Sequence, residues 1–380
     1  MPAAHPGRVS GPTVADIRLV GFSSRAPLPD ALAWVDARIA PLPAESVATR
    51  EAIGRVLAMP VASPADWPSA DCAAMDGYAV LAHETEGANE YNPLPLGVRT
   101  PVAAGLPLPN GADAILPFAT AQPCGAALDA LAPVARGAGI DRRGSLLRTG
   151  DVAVEAGMLR PQDMALLLTL GIDRVDVVRR PRVALVVGGP KAGPDLLSPL
   201  LRALVARDGG LAEAMPLSAL GADLIIIAGR TGAGPDDDAT LALVGAGGTV
   251  DMHGIAIRPG DSAGLGRIGS VPVLLLPGAP HACLAIYDLL AARAVRRMAG
   301  ITPAEPYRSI EAVLGRKAVS AVGTTDLIQV RMDGARAIPL GQADTGSLHS
   351  AVQADGFIVV PEASEGHPAG AIVQVRLYRP

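Results

Sequence analysis

The chain has 380 residues, 49% hydrophobic, 18% charged and 3% aromatic, with a net charge of −5; it is long enough for two or more domains packed on aliphatic cores. No Lys/Arg block occurs, which argues against a nucleic-acid partner held on a basic face. Cys72, Cys124 and Cys283 form no C-x-x-C pair, which argues against a disulfide framework or structural zinc and fits a reducing, cytoplasmic setting.

Residues 1–25 are rich in Pro, Gly and Ser, lack an apolar signal-peptide core and read as a loose arm. Leu28, Leu32, Val35 and Ile39 recur at helical spacing, and after Pro41 and Pro43 a second helical piece is expected over 46–57. From 60 to 140, short β-type runs alternate with Pro/Gly turns, suggesting a small sheet domain. Helix returns over 155–180, with Pro161 suited to a first turn and Gly171 to a stop. Aliphatic runs at 183–187, 224–228 and 271–276 look like strands buried on both faces of a parallel sheet. The helical patterns between or after them, 196–207, 238–244 and 281–298, imply βαβ units. Short strands at 329–332, 356–360 and 371–378 then predict a small barrel or sandwich. No apolar run is long enough to span a bilayer, so no membrane association is expected.

Several segments carry chemistry. In Asp71-Cys72-Ala73-Ala74-Met75-Asp76-Gly77-Tyr78, Asp76 stands where irregular chain enters a strand. It is either a turn aspartate or a working residue, while Asp71 and Tyr78 read as structural. Arg142 and Arg143 lie between Gly139 and Gly144; they present guanidinium forks to an oxyanion or form a solvated turn. The 224–228 run is followed by Gly229-Arg230-Thr231-Gly232-Ala233-Gly234 and by Asp236, Asp237 and Asp238. Such a loop can cradle a phosphate, and its acids either complement a helix dipole or hold Mg²⁺. Pro277, Gly278 and Pro280 form a turn into a helix whose early N–H groups suit an anion. Ser347 and Ser350 are oxyanion donors or turn-satisfying groups. His253, His281 and Cys283 have no fixed partner in the pattern. Gly264-Leu265-Gly266-Arg267-Ile268-Gly269 precedes a strand, the reverse of a dinucleotide fingerprint, and is rejected as one.

Taken in order, these segments resemble the molybdopterin molybdenumtransferase family, the MoeA-type proteins and the E domain of gephyrin. Residues 71–80 resemble its S/N-A-M-D-G-Y-A signature. Residues 137–151 resemble G-x-x-I-R-x-x-G-E-D, with Arg142, Arg143 or Arg148 inheriting the arginine. Residues 229–234 resemble G-G-x-S-x-G, and 276–280 resemble L-P-G-N-P. The chain departs from the pattern at several places, among them Arg230 for the second glycine of the 229–234 loop and Ser145-Leu146 for the acidic pair after Gly144. Gly188-Gly189-Pro190-Lys191-Ala192-Gly193 stands where S/T-G-D-E-L is expected, with no acid before Asp195. In the K-P-G-K region, Arg258 replaces the first lysine and Asp261 reverses the second. Ala104-Gly105-Leu106-Pro107-Leu108-Pro109 keeps a turn but lacks the family threonine, and Ala279 replaces an asparagine.

The resemblance implies an α/β multidomain fold of MoeA type. Its pieces would be a flexible arm over 1–27, a helical linking domain over 28–58 plus 143–180, an inserted β-rich domain over 59–142, an α/β molybdopterin-binding-like domain over 181–303 and a C-terminal β-barrel over 304–380. It implies an elongated homodimer with the active site shared between chains. The implied reaction inserts molybdate into adenylylated molybdopterin with release of AMP, assisted by Mg²⁺. Asp76, Arg142 and Arg143 would be catalytic. Gly229, Thr231, Gly232, Gly234, Arg258, Pro277, Gly278, Pro280, Ser347 and Ser350 would bind substrate, and Asp236 and Asp237 would hold the metal. The departures make a catalytically impaired paralogue the alternative: a carrier or scaffold for molybdopterin or its mature cofactor, working with other cofactor-biosynthesis proteins or a molybdoenzyme.

Overall fold

The computed structural model describes residues 16–188, 194–217, 221–342 and 346–378. The chain forms two compact units, one of Met1–Glu45, Gly54–Val56 and Val177–Pro380, the other of Ser46–Ile53 and Leu57–Asp176.

In the first unit, the helix Leu28–Arg38 forms as expected and buries Leu28, Ala31, Trp34 and Val35. The aliphatic runs form the parallel strands Arg182–Val187, Leu224–Ala228 and Val271–Leu276. Across the sheet the order is Leu211–Ala214, Arg182–Val187, Leu224–Ala228, Val271–Leu276, then Gly264–Ile268 and Thr249–His253. The first four are parallel, and the last two join antiparallel. The rejected glycine motif is therefore itself a strand. Successive side chains of the parallel strands point to opposite faces. Val183, Leu185, Leu224, Ile226, Leu274 and Leu276 enter one core with Leu201 and Val205 of the helix Leu197–Arg207. Ala184, Ile225, Ile227, Val273 and Leu275 enter another with Leu243 of the helix Ala239–Gly245. Burial on both faces removes the need for polar residues in these strands, which is why each reads as an unbroken apolar run.

The C-terminal sheet closes into a barrel. Thr325–Asp333, Arg336–Pro339, Arg308–Leu314, Ile372–Leu377 and Gly356–Val360 pair in that order, and the last pairs back onto the first. Leu314, Ile328, Val330, Val360, Val373 and Val375 fill it. The short strand Ile257–Arg258 pairs parallel with Thr325–Asp333 outside the ring.

The second unit consists of small sheets. Gly77–Val80 lies between Pro101–Val102 and Ala114–Pro117, and Ile140–Asp141 pairs with Cys72–Ala73. The helix Pro161–Thr169 starts at Pro161, and Gly171 follows its end at φ +73°, the left-handed stop that glycine favours.

Two helical expectations fail. Residues 46–57 form the strand Ala44–Ala48, a single 3₁₀ turn Thr49–Glu51 and the strand Val56–Leu57. β-Branched Val47 favours extended chain, and Thr49, which opens the 3₁₀ turn, is anchored by its hydroxyl to the Ile172 carbonyl and by its N–H to the Asp173 carbonyl. The helix expected over 155–180 is limited to Pro161–Thr169, and Arg174–Val178 is a strand with Val175 and Val177 buried at period two. Among the described residues, no helix is long and apolar enough to cross a membrane.

Candidate functional site

The chain runs from Arg182–Val187 to the sheet edge at Leu211–Ala214, then crosses back to Leu224–Ala228 on the other side. The connections therefore diverge between Arg182–Val187 and Leu224–Ala228, and ligands in open α/β sheets bind beyond the strand ends at such a point. A cleft of about 410 Å³ lies there, lined by Gly188, Asp195, Arg230, Asp236, Asp237, Gly278 and Pro280 among others.

Gly229 makes the cleft's floor possible. Its φ is +89°, and a Cβ there would lie 2.0 Å from the Gly188 carbonyl oxygen. Its own Cα lies 3.3 Å from where a Cβ on Gly278 would stand, so the turn at Pro277 and Gly278 packs directly against the loop. The Asp237 carboxylate folds back over the loop. Its Oδ2 accepts the Gly234 N–H at 2.8 Å and would crowd a side chain at Gly232 or Gly234. Thr231 is buried; its hydroxyl pairs with Ser262 at 3.0 Å, and its carbonyl accepts the His253 Nε2–H at 2.8 Å. Burial lowers the His253 pKa, and the contact with a carbonyl acceptor calls for a proton on Nε2. Leu19 donates its N–H to the Ala233 carbonyl at 2.8 Å, and Phe22 meets the His253 ring edge-on. Residues of the expected arm thus pack on the loop.

Other expected ligands have partners of their own. Arg258 grips the fully buried Asp326 carboxylate bidentately, at 2.8 and 2.6 Å. Asp261 is paired with Arg25 at 2.6 Å. Ser347 caps the helix Leu348–Gln353: its Oγ accepts the Ser350 N–H, while Ser350 Oγ accepts the Ser347 N–H. Pro280 opens its helix. Cys283 is fully buried and its thiol is pushed up to about 12, far from a nucleophile's range. Asp195, beyond the altered S/T-G-D-E-L segment, accepts the N–H groups of Leu197 and Ser198; residues 189–193 of that segment lie outside the described residues.

The described residues hold no cluster of three or more His, Cys, Asp or Glu side chains suited to a metal. Asp237 serves the loop and Asp238 pairs with Arg230 at 2.7 Å. Asp236 faces the cleft without a side-chain partner among the described residues. One carboxylate fits Mg²⁺ only as an ion carried mainly by substrate phosphates and water.

In the second unit, three sequence motifs converge. Asp76 sits in the turn between Cys72–Ala73 and Gly77–Val80, and its Oδ1 accepts the Ala104 N–H at 2.8 Å. The turn is sutured to 104–108 through Ala73, Gly105 and Leu106, and to 139–143 through Ala74 and Gly139. Arg142 reaches Asp71 at 2.6 Å; Arg143 donates its N–H to Asp71 at 2.9 Å and its Nε–H to Asp66 at 2.8 Å. Asp66 also accepts the N–H and hydroxyl of Thr149. Asp66 was not singled out by the sequence, and Asp71 proves to be the arginines' brace. Both arginines remain exposed, with side chains 53% and 67% accessible. The Arg148 guanidinium has no partner among the described residues.

The Arg143 N–H, then the Arg142 guanidinium, hold the Asp71 carboxyl below the usual carboxylate range; the Thr149 N–H, then Arg143, do so for Asp66. A depressed folded pKa stabilises above the unfolded value, about 3.9, and that contribution is lost as pH falls through the folded value. A carboxyl NMR titration should return midpoints below about 3.9 for both. Midpoints at or above that value would contradict this bracing.

Comparison with known proteins follows the same order along the chain. Three family models match: "MoeA N-terminal region (domain I and II)" over residues 26–171, "Probable molybdopterin binding domain" over 202–297 and "MoeA C-terminal region (domain IV)" over 311–378. The chain belongs to the MoeA family. Relatives within it include molybdopterin molybdenumtransferase 2 of Mycobacterium tuberculosis, 27% identical over 87% of this chain and 94% of its own. The molybdopterin molybdenumtransferase of Staphylococcus aureus is 24% identical over 92% and 95%. Two structures of a molybdopterin biosynthesis MoeA protein from Pyrococcus horikoshii superpose with TM-scores of 0.75 and 0.74. They share 27% and 26% identity and cover 94% and 93% of this chain and all of theirs. The MoeA-type fold with its closed C-terminal barrel is as the sequence implied.

Proposed function

We propose that the chain inserts molybdenum into molybdopterin: adenylylated molybdopterin and molybdate are consumed, the phosphoanhydride is cleaved, AMP leaves and the metal ends at the dithiolene. The observation that carries this reading is the cleft at the divergence of the parallel strands, floored by backbone at Gly229 and Gly278. Relatives named molybdopterin molybdenumtransferase support the reaction class. In this reading the 229–234 loop and the 277–280 turn hold the pterin and its phosphates. Asp76 orients the reacting end, while Arg142 and Arg143 offer their exposed N–H groups to the molybdate dianion. Mg²⁺, arriving with the substrate, would neutralise phosphate charge beside Asp236. The five-part division over 1–27, 28–58 plus 143–180, 59–142, 181–303 and 304–380 belongs to the same proposal. So does a homodimer in which one protomer's Asp76 surface serves its partner's cleft. Thiols without disulfide partners at Cys72, Cys124 and Cys283 suit a reducing, cytoplasmic setting.

The test is reconstitution. Purified protein given adenylylated molybdopterin, Mg²⁺ and molybdate should release AMP, and light scattering should return twice the 38.5 kDa chain mass. Pterin binding without AMP release would make the chain a carrier, and a monomer would remove the shared site.

A further inference from the structure

We propose that Arg230 is the cleft's own anion-binding side chain, placing its guanidinium on a phosphate oxygen of the adenylylated pterin. The inference rests on the insertase reading and adds a ligand where the family motif has glycine.

Arg230 follows Gly229 at the strand divergence and lines the cleft. Its φ is +59°, and it is one of two described non-glycine residues at positive φ. A long side chain is costly in that backbone region, and such strain is commonly retained at functional sites. Gly188 makes room for it: a Cβ at 188 would lie 2.8 Å from Arg230 Cδ.

The residues lining the cleft include Asp195, Asp236 and Asp237, and Arg230 is the one cation described among them. The two positions where the family carries lysine offer none: Arg258 grips buried Asp326, and Asp261 is an acid neutralised by Arg25. A pocket for a diphosphate needs a cation, and here Arg230 supplies it.

Arg230 donates Nε–H to the Asp236 carbonyl at 2.8 Å and one terminal N–H to Asp238 at 2.7 Å. These contacts hold the guanidinium along the loop while most of its donors stay unused among the described residues. The pair with Asp238 is exposed, 42% and 38% for the two side chains, so a multiply charged phosphate can outcompete it.

Equilibrium dialysis of adenylylated molybdopterin without molybdate separates ligand from brace. Arg230→Gln should weaken binding about 10- to 100-fold, and Arg230→Lys should recover part of the loss. The salt dependence should also be shallower in Arg230→Gln. Asp238→Asn, which removes the ion pair's negative charge and loosens its hold on the guanidinium, should bind as tightly as wild type or tighter. Wild-type affinity in Arg230→Gln would overturn this inference alone. Equal losses in Arg230→Gln and Asp238→Asn would reduce Arg230 to a brace and overturn it too. Failure of the wild type to bind would overturn the insertase reading and this inference with it.

Discussion

Asp76→Ala should lower the rate of AMP release by about 100-fold or more, with pterin binding and the unfolding midpoint nearly unchanged. The expectation follows from how the carboxylate is held. Its Oδ1 accepts a single backbone N–H, from Ala104, which fixes the side chain's direction, and the rest of the group stands in solvent. The turn itself is secured by backbone bonds from Ala73, Ala74 and Gly105, so truncation leaves the local fold intact. Asp76→Asn separates charge from shape, because its amide oxygen can still accept the Ala104 N–H. If the negative charge orients the reacting end, the asparagine variant should be as impaired as alanine. Activity within a few-fold of wild type in both would remove Asp76 from the catalytic set.

Gly229→Ala should destabilise the first unit by about 4 kcal/mol, combining left-handed backbone strain with overpacking, and should abolish pterin binding. The clash is with backbone: the new methyl would stand 2.0 Å from the Gly188 carbonyl oxygen, and no rotamer change relieves that. Relief requires the two strand ends to separate, which opens the cleft's floor and displaces the Pro277–Gly278 turn packed against it. Chemical denaturation followed by tryptophan fluorescence reads the loss, since Trp34 reports on that core. Gly234→Ala offers a milder comparison, because its neighbour is the Asp237 carboxylate, a side chain that can move.

The sequence made the α/β framework legible because its strands are buried on both faces and contain nothing else. The loop at 229–234 was equally plain, as local chain following a strand. Residues 46–57 misled because their sparse apolar positions, Val47, Ile53 and Leu57, suit a helix or short strands alike; contact with Ile172 and Asp173 decides the matter. The same distance effect hid the electrostatics. Arg258 finds Asp326, Arg142 finds Asp71 and Arg25 finds Asp261 only after folding. Arg258 therefore reads as a substrate ligand and Asp261 as a lost one, whereas in the fold each is paired, with Asp326 and Arg25. Asp237 belongs to an acidic cluster that suggests a metal, and its carboxylate also closes the glycine loop through the Gly234 N–H.

In the proposed reaction this chain, with its altered lysine and acidic motifs, still couples cleavage of the adenylylated pterin to molybdenum insertion. The direct measurement is the ratio of molybdenum bound to pterin against AMP released in a single turnover with excess molybdate. About one metal per AMP is expected, with both lost together in Asp76→Ala. AMP release with no molybdenum on the pterin, or tight pterin binding with neither product, would contradict it.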